Sequence, residues 1–122
     1  MLVGIDVVKV ERFDKHIAED SFLNKYFSDY ESNYIFTRPN PRETLAGLYA
    51  AKEAFLKALG LGIGGGIDLK HIEINHEKSG RPFVKIVDKN ALVKFEEFNV
   101  KNIDLSISHT DNLSTAICIL FN

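Results

Sequence analysis

Three charged side chains could do chemistry if the fold brings them together: Asp6 near the start of the chain, and Glu53 and Lys57 in its middle. Glu53 and Lys57 lie four residues apart in a segment with helical periodicity, so a helix would place both on one face. Asp6 lies in the middle of an apolar segment typical of a strand, where burying an unpaired charge is costly. A metal ion or an ammonium group would satisfy Asp6, but so would backbone amides or an arginine at a sheet end. Helix statistics alone favour a solvated surface pair for Glu53 and Lys57.

His109 is a further candidate, because it lies at the end of a predicted strand and is surrounded by hydroxyl-bearing residues that offer contacts to phosphate or water. A lone histidine there is more often a surface or hydrogen-bonded residue than a catalytic one. A Ser/His/Asp triad is not supported, since no glycine-flanked nucleophile turn is present. The sequence also lacks Cys/His spacing typical of a metal site.

The segment from Leu45 to Leu59 is predicted to be a helix that ends at Gly60. Its broad, mostly apolar face comprises Leu45, Leu48, Tyr49, Lys52, Phe55, Leu56 and Leu59. A second face carries Ala46, Ala50, Glu53 and Lys57, and its alanines allow a backbone or a ligand to approach closely. The loop of residues 60–66 is rich in glycine and exposes its amides, but it lacks the lysine and hydroxyl of a nucleoside-triphosphate loop.

The rest of the chain must position these residues. Strands are predicted at residues 2–10, 72–76, 82–87, 103–110 and 113–121. Shorter helices are predicted at residues 11–18, around 22–27, at 29–36 after the capping-box sequence Ser28-Asp-Tyr-Glu31, and from Asp88 to about Phe98. Ala91, Leu92, Phe95 and Phe98 should face inward from the last helix. A loop over residues 37–42 is expected because it contains two prolines. This order favours an α+β fold with a mainly antiparallel sheet packed with helices.

Composition limits the possible classes of function. The chain has 122 residues, 45% hydrophobic and 26% charged, as expected for a single globular domain spanning 1–122. A net charge of −2 argues against bulk nucleic-acid binding, and no apolar run is long enough to span a membrane. Cys118, the single cysteine, is expected to be a buried, unreactive thiol in the cytoplasm.

Four motifs in a fixed order connect these residues. They are Gly4-Ile-Asp6, Ala50-Ala-Lys-Glu-Ala-Phe-Leu-Lys57, Gly80-Arg-Pro82 and Leu105-Ser-Ile-Ser-His-Thr110. As an ordered set they resemble the holo-acyl-carrier-protein synthases, the small single-domain branch of the 4′-phosphopantetheinyl transferases. The resemblance implies transfer of the phosphopantetheine arm of coenzyme A to a serine of apo acyl carrier protein, with release of adenosine 3′,5′-bisphosphate. It also implies a cytoplasmic homotrimer with active sites at the subunit interfaces.

The resemblance further implies roles for individual residues. Asp6 and Glu53 match the Mg²⁺ ligands, and Lys57 matches the lysine near the coenzyme A phosphates. Pro82, His109 and Thr110 match nucleotide contacts, the last two from a neighbouring subunit. Arg12 matches a contact to the acidic carrier protein. The amides of Gly60 and Gly62 could steady the pantetheine or the phosphates. Glu53, directly or through a metal-bound water, is also a candidate base for the serine hydroxyl.

Two positions depart from the family pattern. Leu48 stands where the family usually has an arginine, so a phosphate contact would have to come from elsewhere, with Arg42 or Arg38 as candidates. Leu56 stands where a serine is common, and acidic residues make the predicted carrier-binding surface less basic. The alternatives are a non-catalytic module that binds coenzyme A or a nucleotide, and an oligomeric scaffold without a ligand.

Overall fold

The longest helix, α3 (Pro41–Leu59), packs across the inner face of an antiparallel sheet and forms the centre of the core. The computed structural model describes residues 1–62 and 64–122. The sheet has the strand order β1-β5-β4, made of β1 (Leu2–Lys9), β4 (Asn102–Thr110) and β5 (Leu113–Phe121). A separate antiparallel hairpin joins β2 (Ile72–His76) to β3 (Pro82–Ile86). Three shorter helices complete the fold: α1 (Asp20–Tyr26), α2 (Asp29–Thr37) and α4 (Lys89–Glu96).

Period-two alternation decides which side of the sheet meets α3. Gly4 and Val8 of β1, and Ala116, Cys118 and Leu120 of β5, are buried on the inner face. The opposite face is apolar but open: Val3, Ile5 and Val7 are each more than 60% exposed, and Leu113 and Ile117 are also exposed. We call these five residues the outer face. Burial raises the pKa of the Cys118 thiol to about 12, so this buried cysteine is unreactive.

The predicted α+β class and the five strands are confirmed, but three local expectations were wrong. Residues 11–18 do not form one helix; they form two short 3-10 turns, Val10–Phe13 and His16–Ala18. The loop after α2 ends at Asn40, since Pro41 is the first residue of α3, where its missing N–H is not needed. Leu92 is 42% exposed, because α4 turns Ala91 rather than Leu92 into the core.

Both ends of α3 carry the expected signals. The Asn40 side chain accepts a hydrogen bond from the Glu43 amide at the N-terminus, and Gly60 adopts a left-handed conformation (φ 73°) at the C-terminus. Of the predicted glycine-rich loop, Ile63 lies outside the described residues. Within residues 1–62 and 64–122, no helix is long and apolar enough to cross a membrane.

A buried ion pair fixes α3 relative to the hairpin and to α2. Lys52 and Glu31 are both 0% exposed, and Lys52 Nζ lies 2.6 Å from Glu31 Oε1. Lys52 also donates to the carbonyl oxygens of Tyr26 and Leu69, at 2.7 and 3.1 Å. Glu31 Oε2 accepts the Ile74 amide, and Oε1 completes the capping box of α2 with Ser28. Burial raises the pKa of Glu31, although the charge of Lys52 and these hydrogen bonds oppose the shift.

This pair should contribute strongly to stability. Lys52→Met leaves the Glu31 carboxylate buried without its counter-charge, so we expect the free energy of unfolding to fall by about 3–5 kcal/mol in urea titrations. The double variant Lys52→Met/Glu31→Gln removes the stranded charge and should recover part of that loss. Lys94→Met, at an exposed helical pair with Glu97, is the matched control and should change stability by no more than about 0.5 kcal/mol. A loss as small as the control's would show that the buried pair is dispensable.

Candidate functional site

A close backbone contact between β1 and α3 brings Asp6 to Lys57. A Cβ at Gly4 would lie 1.9 Å from the Ala54 carbonyl oxygen and 2.5 Å from the Ala58 nitrogen, so only glycine lets the strand approach the helix this closely. Lys57 Nζ then donates to Asp6 Oδ1 at 2.9 Å and to the Ile5 carbonyl oxygen at 3.1 Å. Two groups that are 51 positions apart in the sequence therefore form a direct ion pair.

The second oxygen of Asp6 is left without a partner. The Asp6 side chain is 13% exposed, and its Oδ2 atom is buried and accepts no hydrogen bond from any described residue. An unpaired buried carboxylate oxygen is costly, so it marks a position where a ligand would replace lost hydration. The Lys57 side chain, by contrast, is 54% exposed, so its ammonium group is accessible to solvent or to a ligand.

Glu53 lies one turn before Lys57 on α3, about 6 Å away along the helix axis. Glu53 is a partly buried residue, and within residues 1–62 and 64–122 its carboxylate takes part in no hydrogen bond or ion pair. Among those residues no cluster of three or more His, Cys, Asp or Glu side chains could enclose a metal ion. Asp6 and Glu53 could supply two carboxylates, the number with which Mg²⁺ typically binds when water and phosphate oxygens complete its coordination.

The neighbouring side chain Tyr49 shows the influence of Glu53. Burial is the main cause that raises the pKa of the Tyr49 hydroxyl, and the negative charge of Glu53 raises it further. Arg12 opposes the shift: its Nη2 atom lies 3.4 Å from the Tyr49 oxygen, and its guanidinium lies 5.1 Å from the ring centroid. The exposed Arg12 therefore contacts Tyr49, the same side chain whose hydroxyl pKa is raised by the charge of Glu53.

His109 and Pro82 lie at a second location, where both line a cavity of about 170 Å³. Its lining comprises Tyr34, Thr44, Gly47, Leu48, His76, Gly80, Pro82, Ile107 and His109. His109 Nδ1 lies 2.7 Å from Ser114 Oγ, and the imidazole packs on Gly47, where a Cβ would come within 2.6 Å of Cε1. Neither Asp6, Glu53 nor Lys57 belongs to the described lining of this cavity.

The remaining predicted residues lie near the Asp6–Lys57 ion pair or near the cavity lined by His109. Thr110 ends β4 beside His109 and is exposed, and its Cα pairs with that of Leu113. Gly60 and Gly62 follow the C-terminus of α3, where a Cβ at either position would meet nothing within 4 Å. Within one chain, therefore, Asp6 is in contact with Lys57, Glu53 lies one turn before Lys57 on the same face of α3, and Pro82 and His109 line a separate cavity.

Tyr34 and His76 are aromatic lining residues of the cavity that were not predicted from the sequence. The rings of Tyr34 and His76 stack with their centroids 3.9 Å apart and an interplanar angle of 11°. Burial lowers the pKa of His76, and the positive charge of Arg38 lowers it further, so this imidazole is neutral at neutral pH. No local sequence signal joins position 34, in a helix, to position 76, in a strand.

The chain matches the 4′-phosphopantetheinyl transferase superfamily over residues 2–118. It belongs to that superfamily. The chain is 40% identical over 119 residues to a holo-[acyl-carrier-protein] synthase from Syntrophus aciditrophicus, covering 96% of this chain and 92% of the relative. A synthase of the same name from Caldicellulosiruptor bescii is 41% identical over 117 residues, covering 96% of this chain and 94% of the relative.

Solved structures from the transferase superfamily share the fold. Holo-[acyl-carrier-protein] synthase from Neisseria meningitidis superposes with a TM-score of 0.87 at 28% identity, covering all of both chains. The Helicobacter pylori synthase in complex with coenzyme A gives 0.84 at 27% identity, covering 98% of this chain and 99% of the other. The predicted resemblance to this transferase branch is confirmed.

Adding a single methyl group at Gly4 should disrupt the contact between β1 and α3. Gly4→Ala forces a Cβ into the backbone of α3, so the strand must move and the ion pair between Asp6 and Lys57 must loosen. We expect the free energy of unfolding, measured by urea denaturation, to fall by about 3 kcal/mol or more. Gly62→Ala, where the added Cβ meets nothing, is the matched control and should cost less than about 0.5 kcal/mol. Equal effects of the two substitutions would contradict the close approach.

Proposed function

We propose that this chain transfers the 4′-phosphopantetheine group of coenzyme A to a serine of apo acyl carrier protein and releases adenosine 3′,5′-bisphosphate. The observation that carries the proposal is the exposed Lys57 beside the unpartnered Asp6 oxygen, within a fold shared with the transferase superfamily. In the reaction the serine oxygen bonds to the β-phosphorus of coenzyme A, and the bond from that phosphorus to the bridging oxygen of the leaving nucleotide breaks.

Mg²⁺ is the proposed metal, and Asp6 and Glu53 are the residues that would hold it. The fit is supported by the buried, unpartnered Oδ2 atom of Asp6 and by the Glu53 carboxylate, which no described residue neutralises. When bound, the ion would supply positive charge against the pyrophosphate oxygens of coenzyme A.

Lys57 has the chemistry needed at the leaving phosphate. Its ammonium group already lies within 3.1 Å of two oxygens on β1, which orient the side chain across the strand, and more than half of the side chain is accessible. A compact cation in this position would stabilise the negative charge that develops on the leaving group. We therefore assign it to substrate binding and to catalysis.

Glu53 is proposed to accept the proton of the carrier serine, directly or through a water molecule. Glu53 is partly buried, lies one helical turn after Tyr49 and makes no described hydrogen bond, so a carboxylate oxygen is available for that proton. The metal-ligand role uses the same side chain but needs only one of its two oxygens.

The other predicted residues complete the substrate path. Pro82, His109 and Thr110 are proposed to contact the nucleotide, and the amides of Gly60 and Gly62 to contact the phosphates or the pantetheine. Arg12, exposed at the start of the segment after β1, is proposed to bind the acidic carrier protein. The enzyme would act in the cytoplasm as a single domain of residues 1–122.

We further propose a homotrimer with an active site at each subunit interface. The outer face supports this assembly, because its exposed valine and isoleucine side chains form an apolar surface of the kind that protein interfaces cover. Within one chain, Asp6, Glu53 and Lys57 do not belong to the described lining of the His109 cavity, and a ring of subunits could bring these three residues of one subunit to its neighbour's cavity.

Mass spectrometry tests the transfer directly. Incubation with coenzyme A, Mg²⁺ and a bacterial apo acyl carrier protein should add the mass of phosphopantetheine to the carrier. Glu53→Gln should lower kcat by at least about 100-fold, because it removes both the ligand charge and the proton acceptor. Mg²⁺ should raise the Tm of the unsubstituted protein but not that of Asp6→Asn.

Glu77→Gln, at an exposed turn residue, is the matched control and should retain both the activity and the Tm shift. If the folded protein binds coenzyme A equally well with and without Mg²⁺ and transfers nothing, it is a non-catalytic binding module. Full activity in Glu53→Gln would remove that residue from the site.

Analytical ultracentrifugation tests the trimer. Ile5 is 62% exposed at the centre of the outer face, so Ile5→Glu places a charge in the proposed interface and should yield monomers. Val93→Glu is the matched control, since Val93 is 59% exposed on α4, and it should remain trimeric. Monomers in the unsubstituted protein at micromolar concentration would contradict the assembly.

A further inference from the structure

Arg12 lies in a turn whose backbone is anchored in the core. In the 3-10 turn Val10–Phe13, Val10 is 4% and Phe13 is 1% exposed, and the Val10 amide donates to the Asn112 carbonyl oxygen at 2.7 Å. Arg12 itself is exposed. An exposed arginine side chain has many rotamers, so binding a partner through it costs conformational entropy unless the side chain is already held in place.

Two aromatic rings and one hydroxyl hold the Arg12 guanidinium. Its Cζ atom lies 5.1 Å from the centroid of the Tyr49 ring and 5.7 Å from that of the Phe13 ring, within the range of cation–π attraction. Its Nη2 atom donates a hydrogen bond of 3.4 Å to the Tyr49 hydroxyl oxygen. The ring faces attract the cation without directing its N–H groups, so the hydroxyl is the contact that fixes the orientation of the guanidinium plane.

Tyr49 is a rigid support for this contact. It belongs to α3, and its ring lies next to those of Phe13 and Tyr26, at centroid distances of 5.2 and 6.5 Å. Burial and the charge of Glu53 raise the pKa of its hydroxyl, so at neutral pH the group stays protonated and offers a neutral oxygen acceptor to Arg12. The side chain that receives the guanidinium is therefore fixed by its surroundings before any partner binds.

The charge of Arg12 remains available to a partner. Within the described part of the chain Arg12 forms no ion pair, and the carboxylate of Asp14, two positions later, is paired with Arg42. A hydroxyl and aromatic rings orient a guanidinium without neutralising it, whereas a carboxylate of the same chain would compete with a carboxylate of the partner. Arg81, which lies 3.4 Å from Asp104, illustrates that second case.

We propose that Tyr49 is a positioning residue for carrier recognition: its hydroxyl holds the Arg12 guanidinium in the orientation that binds a carboxylate of the acyl carrier protein. The inference rests on the proposed function, in which Arg12 binds the carrier. Glu53 follows Tyr49 by one helical turn, about 6 Å along the helix axis, so a carrier bound by this arginine lies next to the part of α3 that holds the proposed proton acceptor. Because the orientation is set before the carrier arrives, Tyr49 acts on carrier binding and not on the chemical step.

Calorimetry with a carrier that cannot react tests this role independently of turnover. The probe is a bacterial apo acyl carrier protein in which alanine replaces the acceptor serine. Tyr49→Phe keeps the ring and removes only the hydroxyl, so the Kd for this carrier should rise about fivefold. Tyr26→Phe is the matched control, because Tyr26 lies beside Tyr49 and its hydroxyl makes no described hydrogen bond, and it should leave the Kd unchanged.

A double-variant cycle separates positioning from a general structural effect. Arg12→Gln removes the group that Tyr49 is proposed to orient, so adding Tyr49→Phe to it should raise the Kd no further. A loss that Tyr49→Phe causes by loosening the fold would instead persist in the absence of Arg12. Circular dichroism and Tm establish that the variants remain folded.

Steady-state kinetics gives the second measurement. With Tyr49→Phe the KM for the carrier should rise about fivefold, while kcat and the KM for coenzyme A stay within about twofold of the unsubstituted values. Tyr49→Leu also removes the ring beside the guanidinium, so it should raise the KM for the carrier further than Tyr49→Phe does.

Several results would overturn the role of Tyr49. These are an unchanged Kd in Tyr49→Phe, an equal rise in Tyr26→Phe, a further rise when Tyr49→Phe is added to Arg12→Gln, or a fall in kcat with an unchanged KM for the carrier. A protein that transfers nothing but binds the carrier more weakly with Tyr49→Phe would reject the proposed transfer and retain this positioning role. A protein that transfers normally while Tyr49→Phe leaves carrier binding unchanged would do the reverse.

Discussion

The absence of a side chain at Gly4 is the constraint on which the site depends. Strand β1 crosses α3 so closely that any Cβ at this position would overlap the helix backbone at Ala54 and Ala58. Because strand residues alternate between faces, this contact also fixes Asp6 on the side of the helix, two residues further on. The ion pair with Lys57 and the unpartnered Asp6 oxygen both follow from that approach. A wider separation would leave the same residues in the sequence but no shared site.

Helix α3 carries two lysine–carboxylate pairs with opposite uses. Lys52 is fully enclosed, and all three of its hydrogen bonds go to protein oxygens, so the pair with Glu31 holds four segments of the chain together. Lys57, five positions later, is 54% exposed and keeps its charge available to a ligand. The difference arises from burial, because a desolvated ion pair resists separation whereas an exposed one exchanges partners readily. The same helix therefore carries a buried pair, Lys52 with Glu31, that fixes its position, and an exposed pair, Lys57 with Asp6, that can exchange partners.

The sheet buries one face in the core and leaves the other face apolar and exposed. Its inner face buries Leu105, Cys118 and Leu120 against α3, while the outer face leaves branched apolar side chains open to solvent. Within one chain, Asp6, Glu53 and Lys57 do not belong to the described lining of the His109 cavity. In the proposed trimer, the outer face would hold the subunits together, and each site would combine these three residues of one subunit with the cavity of its neighbour. Stability of the assembly and completion of the site would then be coupled.

The sequence by itself determined the strands, the main helices and the family, because period-two alternation, the capping box at Ser28 and the glycine after α3 are local signals of backbone conformation. It also identified Asp6, Glu53 and Lys57 as candidates from residue type and spacing. It did not reveal that Lys52 is buried with Glu31, that Leu92 faces solvent, or that Tyr34 stacks on His76 beside Arg38. Only the tertiary structure decided these features, because each depends on how segments distant in the chain pack together, and side-chain periodicity specifies a face without specifying what covers it.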